Sequence, residues 1–257
     1  MKYFLSAVVS ASVLVSGAAM AGPSAKFAAT YHSGGMNVVS MAEITDSDVD
    51  AAISDENTGF TFATIKVPQD KELLVGLSAE IGLTTDTSIK GQQGGAARAL
   101  AGAGAAAAIF ACPVDGGDCT PAAAPGAVIL SQRVQELSAT LGGVLEDCTD
   151  VNGDGVVEIP EECTFSDEEI GLALDTLASH HFNFVLPNMD QGEYNIVAVF
   201  VTGALAAVDI DEDSITLEAG GSVTASAYAK AWIGSYMLTV QQVRAAKGGI
   251  IDLDIIE

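Results

Sequence analysis

Residues 222–245 read SVTASAYAKAWIGSYMLTVQQVRA, and the first half of this stretch decides the fold class. Val223, Ala225, Ala227 and Ala229 alternate with Thr224, Ser226, Tyr228 and Lys230. A period of two sends successive side chains to opposite faces, so the stretch predicts a strand with one buried and one wetted side.

The same grammar recurs upstream. GFTFATIKVPQDKELLVGLSAEIGL (59–83) holds two β-rich runs around a turn at Pro68, Gln69 and Asp70. HFNFVLPNMDQGEYNIVAVFVTG (181–203) repeats that layout around Pro187 to Gly192. MNVVSMAEI (36–44), SITLEA (214–219) and the terminal IIDLDII (250–256) are further strand candidates. About nine or ten short strands separated by turn residues predict an antiparallel β-sandwich, jelly-roll or Ig-like.

Two segments read both ways. Residues 96–110 are alanine-rich with interleaved glycines, so helix and strand compete. In 128–145, Leu130, Val134, Leu137, Leu141 and Leu145 have helical spacing, while the β-rich context favours a strand with an irregularity. One helix is better marked. Ser166 and Glu169 form a capping box, Phe165 and Ile170 a hydrophobic staple, and Leu172, Leu174 and Leu177 an apolar face running to about Ser179.

Compartment follows from the ends of the chain's first apolar run. Lys2 precedes an apolar segment from Tyr3 to Val15, and Ala19-Met20-Ala21 supplies a cleavage pattern, which predicts a signal peptide over 1–21. The run is too short for a membrane span. Residues 22–257 are then expected as a single sandwich domain with an inserted loop and helix excursion at about 142–180, exported to a periplasm, the cell surface or the exterior.

An exported chain with four cysteines is expected to hold two disulfides. Of three connectivities, nearest-neighbour pairing is favoured, because Cys112 with Cys119 and Cys148 with Cys163 each close a short, turn-rich segment. The charge is lopsided, with 34 acidic residues against 10 basic ones and a net charge of −24. Such a surface repels nucleic acid and anionic lipid, both of which require a basic face.

Within the second cysteine pair lies CTDVNGDGVVEIPEEC (148–163). Counting Asp150 as position 1, Asn152 falls at 3, Asp154 at 5, Gly155 at 6, Val156 at 7, Glu158 at 9 and Glu161 at 12. Side-chain oxygens at 1, 3, 5 and 12 with a backbone carbonyl at 7 suit a hard cation, and glycine at 6 permits a sharp turn. Residues 150–161 resemble EF-hand and dockerin-type calcium loops. The resemblance implies Asp150, Asn152, Asp154 and Glu161 as side-chain Ca2+ ligands, the Val156 carbonyl as another, and Glu158 directly or through water. It also implies that Val157, at position 8, anchors the loop to a neighbour. Pro160 and Glu162 depart from the pattern where an exit helix would begin, and no second such loop follows.

Other groups read as structural. Asp46, Asp48 and Asp50, and Asp209, Asp211, Glu212 and Asp213, read as solvated loops. His180 and His181 should face opposite ways, and Trp232 and Tyr236 read as core in preference to a carbohydrate platform. There is no G-x-S-x-G elbow, no H-E-x-x-H and no phosphate loop. The expectation is a secreted or cell-surface calcium-binding protein of structural or binding role, such as adhesion, matrix or filament formation, not an enzyme, with a protein or carbohydrate ligand or further copies as partners. The alternative is an extracellular hydrolase with an unrecognised carboxylate site.

Overall fold

The structure, a computed structural model, describes residues 26–34, 36–45, 51–68, 71–92, 94–159, 161–211 and 222–244. The segment 1–21 expected as a signal peptide, SITLEA, the terminal IIDLDII, Asp46, Asp48, Asp50, Glu212 and Asp213 lie outside them. Every regular element among the described residues is a strand.

One antiparallel sheet is built on β12 (Ser222–Val243) and β4 (Lys71–Gln92), with β10 (Glu168–Met189) on the far side of β4. On the other side of β12, β1 (Phe27–His32) and β2 (Met36–Thr45) share the edge in succession. The second sheet runs β3 (Ala51–Val67), β11 (Gly192–Asp211), β5 (Gly95–Pro113), and then β6 (Thr120–Pro121) and β7 (Val128–Leu141) along β5. From β2 to β12 the main strands cross between the sheets at each step, except for the β5–β7 hairpin. That is a jelly-roll connection, since an Ig-like sandwich would keep several sequential hairpins within one sheet. A third, two-stranded ladder joins β8 (Val144–Cys148) to β9 (Cys163–Ser166).

Alternation places the core between the two sheets. β5 buries Ala97, Ala99, Ala101, Ala103, Ala105 and Ala107, and β12 buries Ala225, Ala227, Ala229 and Ala231. With such small side chains between them, Cα atoms of β12 come within 8 Å of those of β5 and β11. Stacked sheets ordinarily sit about 10 Å apart. Elsewhere the larger side chains of Leu73, Leu77, Phe184, Ile196 and Phe200 are buried in the core, each such side chain contributing roughly 1.5–3 kcal/mol by leaving water.

The ambiguous segments resolve as strands. Residues 95–113 are β5, and 128–141 are β7 with a register shift opposite Ala105 and Ala106. The helical spacing in β7 is accidental, because Leu130 and Leu141 point inward while Val134 points out.

The helix expected from Ser166 to Ser179 is not formed. Those residues run in β9 and β10, with Ile170, Leu172 and Leu174 opposite Ile89, Thr87 and Thr85. A ladder spanning most of a 22-residue strand outweighs one short helix, which is marginal in water. Within the segment expected as the helix start, the carboxylate of Glu168 accepts from the Gly142 and Gly143 amides, which ties the start of β10 to the end of β7. The excursion is accordingly the hairpin 144–166, and residues 168–180 belong to the main sheet.

A register shift between Ile233 and Tyr236 separates two aromatics that share a parity in sequence. Tyr236 points inward, stacked on His32 at 5.2 Å and tilted against Phe200 at 5.4 Å. Trp232 lies on the outer face against Gly82, where an added Cβ would stand 2.0 Å from the indole. It is half-buried there and not in the core.

The open sides of the sandwich are latched by side chains. Arg133 of β7 donates to the Leu174 carbonyl at 3.1 Å and to Thr176 Oγ1, and Gln135 donates to the Leu172 carbonyl. On the opposite side Thr30 Oγ1 donates to the Phe62 carbonyl at 2.8 Å, and Gln242 to that of Lys66. These bonds occupy edge carbonyls that would otherwise invite another strand.

Candidate metal-binding loop

The loop grows out of the β8–β9 ladder. Cys148 and Cys163 are directly opposite and joined by a disulfide, as Cys112 and Cys119 are at the end of β5. Just inside the bond, the Thr149 amide donates to the Glu162 carbonyl at 2.9 Å, and the Glu162 amide to that of Glu158 at 2.8 Å. The loop is thus closed by a covalent bond and a main-chain hydrogen bond.

From there the chain winds around Asp150. Its Oδ1 accepts from the Gly153 amide at 2.6 Å and its Oδ2 from the Gly155 amide at 2.8 Å. Asn152 Oδ1 accepts from Asp154 at 2.9 Å, and Asp154 Oδ1 from Val156 at 2.8 Å. Gly153 and Gly155 have φ of 74° and 86°, a region that disfavours residues with a Cβ. Alternate side chains turning back onto the backbone two or three residues ahead are what Asp and Asn do in turns.

The expected ligands are therefore on one compact turn, with one exception. Glu161 is exposed and, among the described residues, has no hydrogen-bond partner. Glu162 spans the loop instead: Oε1 accepts from Val151 at 2.9 Å and Asn152 at 3.1 Å, and Oε2 from Glu158 at 3.1 Å. The Glu158 amide foremost, and those of Asn152 and Val151 with it, lower the pKa of this carboxyl from its ordinary value, against the opposing effect of burial. Val157, expected as an anchor, is 44 % exposed with Val151, Val156 and Ile159 also open to water.

The donors are all oxygens, which suits a hard cation. A carboxylate offers about four lone-pair sites, so one amide on each Asp150 oxygen leaves room for an ion. Among the described residues, however, no three His, Cys, Asp or Glu side chains converge as a metal centre would require. The loop has the right chemistry and winding, and an ion would still have to draw the carboxylates together.

One constellation elsewhere has the outline of a nucleophile and base. Ser78 Oγ and His181 Nδ1 lie 2.8 Å apart, and His181 Nε2 is 3.2 Å from Asn183 Oδ1. Ser78 sits on β4, an interior strand whose amides bond to β10 and β12, so no free donors stand beside it to stabilise an oxyanion. The trio is a cross-strand polar cluster. His180, the neighbour, faces the other way opposite Ala79.

No family model matches the chain, and no curated protein matches it. Among solved structures, a chain of the structure of infectious bursal disease virus Gx strain aligns at 11% identity with a TM-score of 0.18. The alignment covers 82% of this chain and 45% of the viral one. Among the described residues no helix is long and apolar enough to cross a membrane.

Proposed function

We propose that the protein is an exported jelly-roll module of structural or binding role, whose Cys148–Cys163 hairpin binds a calcium ion that rigidifies it. The observation that carries the reading is the Asp-x-Asn-x-Asp-Gly spacing of 150–155, folded as a turn around Asp150. Asp150, Asn152 and Asp154 would bind through side chains, Val156 through its carbonyl, and Glu158 directly or through water. Glu161 closes the set by position, with Glu162 the adjacent carboxylate already turned inward. Calcium modules of the cell exterior bind at about 10⁻⁴ to 10⁻³ M, which gives the ion a structural and not a signalling part. The export signal, the acidic surface and the two disulfides support a role outside the cytoplasm, in adhesion, matrix or filament formation with a protein, a carbohydrate or further copies.

Calorimetric titration of calcium into the oxidised mature protein tests this. Binding is expected in the wild type and lost in the Asp150→Ala, Asp154→Ala variant. Comparing Glu161→Gln with Glu162→Gln identifies the closing carboxylate by which one weakens binding. No heat of binding up to about 10⁻² M, tenfold above the weakest sites of this kind, would sink the reading.

A further inference from the structure

Trp232, the one tryptophan of the chain, stands on the outer face of the β12-β4-β10 sheet in a cross-strand row with Gly82 and Leu177. That face of an antiparallel sandwich is ordinarily polar. The indole Cε2, Nε1 and Cζ2 would stand 2.0, 2.2 and 2.5 Å from a Cβ added to Gly82, and Cζ3 3.0 Å from one added to Gly234. With Cε2 nearest and the atoms on either side of it farther, the ring covers Gly82 with a face and not with its rim. Glycine weakens an interior strand such as β4, and here its missing side chain is what lets the ring lie down against the sheet. Leu177, 60 % exposed, continues the apolar strip on the next strand.

Polar groups border the ring, fixed in place and each with bonding capacity to spare. Glu80 Oε2 accepts from the Ser235 amide at 3.1 Å and from its hydroxyl at 2.6 Å, while Oε1 has no partner among the described residues. In the row on the other side, Lys230 with Thr84 and Asp175, Asp175 Oδ1 accepts from Thr84 at 2.9 Å and Oδ2 is likewise unpartnered. Two donors are open as well: among the described residues neither Lys230 Nζ nor the indole N–H, which is not sealed from solvent, has a partner. A tryptophan N–H ordinarily finds one once it is covered.

We infer that this patch binds a neutral saccharide, with the C–H face of a sugar ring stacked on Trp232 and its hydroxyls held by Glu80, Asp175, Lys230 and the indole N–H. A sugar ring has a flat apolar face and a rim of hydroxyls that both donate and accept. The patch mirrors it, with a flat apolar ring bordered by two acceptors and two donors, the few convergent polar groups that orient a ligand. An apolar peptide laid on the ring would cover those four groups and leave them unpaired. A net charge of −24 repels an acidic glycan. Two carboxylates against one ammonium leave the patch without the charge density that selects a cation. The inference rests on the binding role proposed above and names its ligand. It is independent of calcium, because the patch and the Cys148–Cys163 hairpin share no residue.

With a single tryptophan in the chain, its emission reports on the ring directly. Titrating the mature protein with neutral oligosaccharides from cellulose, laminarin, starch and mannan should shift that emission saturably for at least one of them. Trp232→Leu, which keeps an apolar cover on Gly82, should abolish binding read by calorimetry. Asp175→Ala and Lys230→Ala, at the border of the patch and outside the core, should keep the unfolding midpoint and weaken binding about tenfold, the worth of one charge-assisted hydrogen bond. The Asp150→Ala, Asp154→Ala variant should bind the sugar as the wild type does, so a failed calcium site leaves this result standing. Unchanged emission and heat with every one of these sugars at millimolar concentration would overturn the inference. So would binding that survives all three substitutions in the patch, or equally tight binding of oligogalacturonate, an acidic glycan.

Discussion

At Glu162 three backbone amides converge on one carboxylate, and that convergence has a pH signature. A carboxyl held below its unfolded pKa stabilises the folded loop at pH above the unfolded value, and the contribution disappears as pH falls through the folded one. Protection of the Val151 and Asn152 amides from hydrogen exchange should therefore persist through the ordinary carboxylate range and be lost only below it. Glu162→Gln should remove the pH dependence, whereas equal loss in both proteins would mean that the carboxylate does not organise the loop. Most of this site was legible in the sequence, because Asp150, Asn152, Asp154 and Gly155 act over two to five residues and such spacing survives any tertiary context. The part played by Glu162 was not. It depends on the Thr149–Glu162 bond and the disulfide beside it, which pin that residue across the mouth of the loop. A second residue-scale expectation concerns Gly82: Gly82→Ala puts a methyl where the indole of Trp232 lies. The ring must leave, so a red-shifted tryptophan emission and a loss of about 1–3 kcal/mol are expected. An unchanged spectrum would contradict the packing.

Among elements, β7 and β10 show how a sandwich with long edges stays closed. Gln135 is buried, its Oε1 accepting from Thr85 Oγ1 at 3.0 Å and its Nε2 donating to Thr87 Oγ1 at 2.7 Å and to the Leu172 carbonyl. Removing one partner of a buried network leaves the others unsatisfied at about 1–3 kcal/mol. Gln135→Ala should lower stability by that amount in denaturant unfolding and expose the Leu172 edge to exchange, and no change in either would show that the latch is idle. The alternation that marks a strand was plain in β4, β11 and β12, whose inner faces are apolar and whose outer faces are mixed. It was hidden in β10. There the Ser166–Glu169 cap and the leucines mimic a helix, and the decisive partner, β4, lies some eighty residues earlier in sequence. Trp232 was misread as core for a related reason, whereas Tyr236 does lie there, since the register shift that parts them is a property of the pairing with β4.

For the whole molecule, composition and periodicity were enough for an antiparallel sandwich with two local disulfides, because both features are short in range. They were not enough for the order of strands. The alanine-rich β5 could be helix until its inner face is set against that of β12, where small side chains let the sheets approach. The proposal of an exported calcium-binding module draws on the acidic composition, the two disulfides and the calcium-type loop, and the ion is the part of that proposal most open to direct refutation. The measurement is thermal unfolding of the oxidised mature protein across a calcium series, with chelator as the zero point and the Asp150→Ala, Asp154→Ala variant alongside. An ion that binds only the folded state stabilises by RT ln(1 + [L]/Kd), about 2.7 kcal/mol at a hundredfold excess over Kd. The account predicts a midpoint that rises with calcium in the wild type and stays flat in the variant. A flat wild type, or a variant that rises with it, would leave residues 148–163 as a stapled acidic turn and contradict the central claim.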